Sequence, residues 1–295
     1  MIGPEHERAR PPSGPAFADA VTFAFGDAAA RLYGLARIGL SPGDDGLSGS
    51  ALGVLFSGRE PVGAIARGGV PVAGGADWDA VAVGGLRATI EQPLARWRVS
   101  LEGEGHGFDL RFAALTPPAE IPGEAGLARA GGMAGYEQLC AVEGTVRAGG
   151  RVHEIRCLGQ RGHSWGEPDW GRIEASRTIA AWPDAGPALA FSSVRPVGAP
   201  HADEPAWAVL IDEEGAVPID DARLSTTYDA DGRQRRAGFE LWPEGEDAHP
   251  HRASGEVLCG STLDLGQLRL DCAFFRWRVD GREGVGRYDV LRRAA

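Results

Sequence analysis

The stretch Gln160-Arg161-Gly162-His163-Ser164-Trp165-Gly166 sets a titratable imidazole, a hydroxyl and an indole in a row between glycines. Arg161 and Glu167 bracket it with opposite charges, and Asp169-Trp170 follow. Strand side chains alternate between faces, so on a strand His163 and Trp165 share one face. If that face lines an apolar hollow, it offers a proton donor beside an aromatic wall. Arg161, His163, Glu167 and Asp169 crowd ionisable groups into nine residues. Ordinary core packing does not accommodate that density, because unpaired buried charge is costly. Such groups belong at a barrel mouth or in a hydrogen-bonded network inside one.

Other candidates are weaker. Tyr136 and Gln138 alternate onto one face and can position a substrate hydroxyl, although core packing is the plainer role. His249-Pro250-His251 resembles a metal pair but brings no third ligand. Ser164 lacks the glycine pattern of a nucleophile elbow. All 30 basic residues are arginine, which excludes a Schiff base, a phosphate-loop lysine and a lysine general base. A net charge of −11 argues against nucleic acid or an anionic membrane as partner. No metal or other cofactor is expected. The four cysteines (Cys140, Cys157, Cys259, Cys272) show no paired spacing and read as small buried apolar residues.

The elements that must position these groups are strands. Of 295 residues, 44 are glycine and 20 proline, and long helical periodicity is scarce. Alternating segments recur between turn signals, most cleanly at Arg96–Glu102, where Trp97, Val99 and Leu101 face one way and polar residues the other. The expected organisation is a flexible N-terminus (1–16), a first barrel (17–116), a linker (117–135) and a second barrel (136–295) that carries the His-Ser-Trp-Gly block. The fold class is all-β, two tandem antiparallel barrels, each wide enough to hold a small apolar ligand. The polar, proline-rich start reads as no secretion signal, and no apolar run approaches a membrane span, so a cytoplasmic protein is expected.

The signature resembles the Arg-Asp-His-Ser-Trp-Gly block of a family of two-domain, lipocalin-like proteins. That family is related to carotenoid hydratase (hydroxyneurosporene synthase) and to isoprenoid-cyclising enzymes. Tyr136-Glu137-Gln138, Trp170, Leu94-Ala95-Arg96-Trp97 with Phe108-Asp109-Leu110, and Gly284-Val285-Gly286 fit the same likeness. It spans nearly the whole chain, but only the His-Ser-Trp-Gly block is specific. The chain departs from the pattern at Gly162, where the family carries aspartate; Glu167 or Asp169 then has to supply the carboxylate beside His163.

The resemblance implies a cofactor-independent lyase or isomerase (a hydratase, dehydratase or cyclase) acting on an apolar isoprenoid or polycyclic substrate. Such chemistry begins by protonating carbon, which needs a poised acid and then a π face for the cation. His163 with Glu167 or Asp169 would supply the acid, and Trp165, Trp170 and Trp182 the π surface. Tyr136, Gln138 and Arg161 would contact substrate. Two alternatives remain open: a non-catalytic lipid or terpenoid carrier, and a cavity that only preorganises a polyene for pericyclic closure.

Overall fold

The computed structural model describes residues 2–44, 46–245 and 249–294. The protein is all-β and antiparallel throughout, and it divides into two units. The first comprises Met1–Gly123 and Gly132–Asp169; the second comprises Glu124–Gly131 and Trp170–Ala295.

The first unit is one curled sheet. In chain order its strands are β1 (Ala18–Asp27), β2 (Leu32–Gly43), β3 (Gly46–Ser57), β4 (Glu60–Val72), β5 (Ala82–Val83), β6 (Leu86–Gln92), β7 (Arg96–Glu102), β8 (Gly107–Ala114), β9 (Ala119–Ile121), β10 (Met133–Ala148) and β11 (Arg151–Gly166). Spatially they run β4-β3-β2-β1-β11-β10-β8-β7-β6-β5, with β9 on the edge of β10. The sheet curls until Val83 of β5 reaches the space above Gly49 of β3, which brings the barrel close to closure without a completed ladder. Its interior is apolar and aromatic, built on Phe23, Phe25, Trp78, Trp97 and Phe112.

The second unit is a closed barrel of eight strands. They are β12 (Ile173–Pro183), β13 (Ala188–Pro196), β14 (Ala206–Asp212), β15 (Gly215–Tyr228), β16 (Gln234–Pro243), β17 (His251–Asp264), β18 (Leu268–Val279) and β19 (Arg282–Arg293). β19 pairs with β12, which closes the sheet on itself. Phe191, Phe239, Phe275, Trp277 and Tyr288 fill it. A short helix, α1 (Gly126–Gly131), belongs to this unit and packs against β13.

Several expectations are corrected. The stretch 117–135 does not separate the two barrels: its Glu124–Gly131 belongs to the second unit, but β10 and β11 return to the first sheet, where β11 inserts between β1 and β10 over registers that include Ala18↔Gly166 and Tyr136↔His163. The His-Ser-Trp-Gly block therefore belongs to the first barrel, and the chain passes to the second for good only after Asp169. The N-terminus is not a free tail: Pro4–Glu7 forms a 3-10 turn and Glu7 is fully buried. Ahead of β5, Trp78–Ala80 forms a 3-10 turn, with the Asp77 side chain capping the Trp78 amide. The polar stretch 245–252 that carries His249-Pro250-His251 lies partly outside the described residues. Cys140, Cys259 and Cys272 are buried, Cys157 half-buried, and all four thiols are free.

Candidate functional site

β11 carries the signature, and its alternation decides what each residue meets. Arg161, His163 and Trp165 point to the barrel interior together with Tyr136 and Gln138 of the neighbouring β10, as the two-residue period requires. On the other flank, Asp19, Val21 and Phe23 of β1 lie on that same inner face.

His163 is 1% exposed. Its Nε2 lies 2.6 Å from Asp19 Oδ1, while Asp19 Oδ2 accepts the Arg10 amide at 2.7 Å. A carboxylate accepting from both assigns the imidazole proton to Nε2 and leaves Nδ1 as the available nitrogen. Among the described residues, Nδ1 is buried and has no hydrogen-bond partner. Aromatic rings wall the imidazole: Trp165 at 5.1 Å, Trp78 at 5.6 Å and Tyr136 at 5.9 Å between centroids.

Beside it lies a second buried cluster, centred on Glu7. The Glu7 carboxylate accepts from Trp97 Nε1 at 2.5 Å, from Arg161 at 2.7 Å and from the Tyr136 hydroxyl. Trp78 Nε1 holds the Glu7 carbonyl at 3.0 Å. Burial pushes the Glu7 carboxyl up, but the Arg161 charge and these hydrogen bonds outweigh it, and the carboxyl titrates below its ordinary value. Burial pushes the Tyr136 hydroxyl far up, so it stays a donor at working pH. The segment Pro4–Arg10 thus fills the space in front of His163 and Trp165. Its Arg10 guanidinium sits 3.7 Å above the Trp165 ring, and its His6 ring lies 6.3 Å from that indole.

A family model described as a domain of unknown function (DUF7064) matches residues 3–294. The chain belongs to that family. No curated protein matches it. Similar solved structures include a candidate AttH (NE1406) from Nitrosomonas europaea, with a TM-score of 0.69 at 15% identity, over 93% of this chain and 92% of that one. CghA solved with Sch210972 gives 0.63 at 12% identity, over 94% of this chain and 89% of that one. CghA alone gives 0.62 at 11%, over 94% and 88%. The two-barrel architecture is common to them.

In this DUF7064 protein the residues singled out from sequence divide into three groups. His163, Trp165, Arg161 and Tyr136 meet inside the first barrel. Gln138 shares that face but serves the backbone: its Nε2 donates to the Leu94 carbonyl at 3.1 Å and to the Thr116 carbonyl at 2.5 Å. Glu167 and Asp169 are exposed, and Glu167 accepts the Ser13 hydroxyl at 2.9 Å. Neither replaces Asp19 beside His163. Trp170 and Trp182 belong to the second unit, Trp182 buried in β12. The reading of Gly162 is also corrected. Strand alternation turns position 162 away from His163, and a Cβ there would lie 2.5 Å from Glu137 Oε2. An aspartate at 162 would face Glu137, not the imidazole.

Asp19, Glu7, Trp78 and Arg10 join the site without having been singled out. Asp19 carried a signal: it sits in the apolar run Ala18–Phe25 at the same phase as Val21, Phe23 and Phe25, where a charge needs a partner. Glu7 gave none, because its surroundings read as a polar, proline-rich start. The second barrel has its own opening, a cavity of about 1000 Å³ lined by Arg177, Arg195, Leu224, Thr226, Tyr228 and Arg292. Glu204 beside it accepts from Arg177, from Arg195 at 2.5 Å and from His201 at 2.9 Å, and these partners overcome burial to hold its carboxyl at about 2.

Proposed function

We propose that the protein is a cofactor-independent acid–base enzyme, a lyase or isomerase, acting on an apolar isoprenoid or polycyclic molecule inside the first barrel. One observation carries this reading: a buried imidazole fixed through Nε2 by Asp19, with Nδ1 unpartnered among the described residues and faced by aromatic rings. His163 is the acid. With Nδ1 protonated, its N–H gives the proton to an alkene carbon, the π pair becomes the new C–H bond, and the cation forms on the neighbouring carbon. Water or a second alkene of the substrate closes the sequence by adding to that cation. The proton then released returns to Nδ1, so the imidazole is unchanged over a cycle. Trp165 is the nearest π face for the cation, and Arg10 supports that role by occupying the indole as a cation already.

Access requires the segment Pro4–Arg10 to withdraw, since it fills the approach to His163. The test is turnover of linear and cyclic polyenes, followed by chromatography with mass detection. His163→Ala should lose at least 100-fold and Asp19→Asn a similar factor, as general acid catalysis contributes about 10²–10⁴-fold. Full turnover by His163→Ala would contradict the assignment. A second reading, a carrier that binds without turnover, draws on the cavity in the second barrel, which does not involve His163. A ligand co-purifying unchanged, with no turnover by the wild type, would select it.

A further inference from the structure

The Glu7 cradle is made by the barrel, not by the segment that fills it. Trp97 comes from β7, Tyr136 from β10 and Arg161 from β11. Their donors converge on the carboxylate of a residue outside the sheet, held in a four-residue 3-10 turn. The cradle also offers more than Glu7 uses. Arg161 is 2% exposed, and its Nε and second terminal nitrogen are buried with no hydrogen-bond partner among the described residues. A buried guanidinium with donors to spare suits a carboxylate as its partner. Around it the lining is apolar and aromatic, with the Arg161 cation 5.7 Å from the Trp97 ring and 5.5 Å from the Tyr136 ring.

We propose that Trp97, Tyr136 and Arg161 form a binding site for the carboxylate of an apolar organic acid, and that Glu7 occupies this site as a built-in stand-in when no ligand is bound. Exchange is the physical core. A neutral ligand that expelled Glu7 would leave the Arg161 charge buried and uncompensated, weakening its binding by roughly two to three orders of magnitude. A ligand bringing its own carboxylate replaces Glu7 bond for bond and avoids that loss. Arg10 leaves the Trp165 face with the same segment, so acid binding and access to His163 are coupled. This deepens the reading that the first barrel takes an apolar ligand, by adding an acidic group to it.

The probes are dodecanoate and dodecanol, titrated calorimetrically into the full-length chain at neutral pH below their aggregation limits. Wild type should bind dodecanoate in preference to the alcohol. Glu7→Ala should bind dodecanoate at least 10-fold more tightly than wild type does, because the internal competitor is gone. Glu7→Ala with Arg161→Leu should bind acid and alcohol alike. Glu7→Ala binding no tighter than wild type, or preferring the alcohol, would overturn the proposal. Should Glu7→Ala fail to fold, the wild type decides: dodecanoate, and not dodecanol, should speed tryptic cleavage at Arg8-Ala9 while the far-ultraviolet spectrum holds. An unchanged rate at saturating dodecanoate would overturn the proposal. Acid binding alongside an inert His163 would remove only the catalytic reading, and turnover without acid preference only the cradle.

Discussion

Glu7 and Arg161 form an ion pair with side chains 0% and 2% exposed, and removing one partner of such a pair strands the other. Glu7→Gln is therefore expected to destabilise the first unit by about 3–5 kcal/mol, read as a shift in the denaturation midpoint. The pH dependence follows from the lowered Glu7 carboxyl. Its stabilising contribution is fully present above the ordinary value of 4.5 and disappears as pH falls through the lower, folded value. Tryptophan fluorescence should report release of the segment in that acid range in wild type. In Glu7→Gln the acid step should be absent, and a step of unchanged size there would contradict the pairing. At this scale the sequence disclosed half of the buried cluster around His163. The pair at 163 and 165 was legible from alternation, as was Trp97. The carboxylates were not, because Asp19 is brought to His163 across 144 positions and Glu7 to Arg161 across 154. Local spacing carries no information about contacts of that separation.

Strand β11 explains why Gly162 is small. Its neighbour Glu137 on β10 holds Gln160 at 2.6 Å, directly where a side chain at 162 would project. Gly162→Asp is expected to set two carboxylates together and lower stability by about 1–3 kcal/mol, with Glu137→Gln recovering part of the loss. Thermal melts of the two single variants and the double variant measure this. Equal losses with and without Glu137 would refute it. At the seam of the second barrel, a Cβ on Gly286 would collide with the Ala180 carbonyl, so Gly286→Ala should separate β19 from β12 and destabilise by about 1–3 kcal/mol. A melt unchanged by Gly286→Ala would contradict that close approach. Strands with one wet face were readable: Arg96–Glu102 appears as expected, with buried Trp97, Val99 and Leu101. β1 is harder to read, because most of its residues are buried on both faces, which blurs the alternation that marks a strand. β11 runs past its apolar part through Arg161 and His163, charged or titratable residues that are paired inside the barrel.

For the whole molecule, two barrels were legible from the recurrence of strands and turns, but their boundary was not. The glycine- and proline-rich stretch at 117–135 looks like a linker, yet it lends only Glu124–Gly131 to the second unit, and the final crossing after Asp169 follows the longest hairpin of the first sheet. The second barrel is expected to depend on Glu204, which gathers Arg177, Arg195 and His201. Its carboxyl, held at about 2, contributes stability above the ordinary 4.5 that fades as pH falls toward 2. Glu204→Gln should abolish that dependence in acid melts of the second unit, and its persistence would point to other carboxylates.

Chemistry at His163 requires the segment Pro4–Arg10 to open by itself and admit a molecule. The amides of Ala9 and Arg10 report this directly, because they donate to Asp77 at 3.0 Å and to Asp19 at 2.7 Å. Native-state hydrogen exchange should show both amides exchanging through a local opening, at least 100-fold faster than the paired amides of β1 and β11 and insensitive to low denaturant. Exchange at the rate of those strands, with the denaturant dependence of global unfolding, would show a segment locked into the core and would contradict the account.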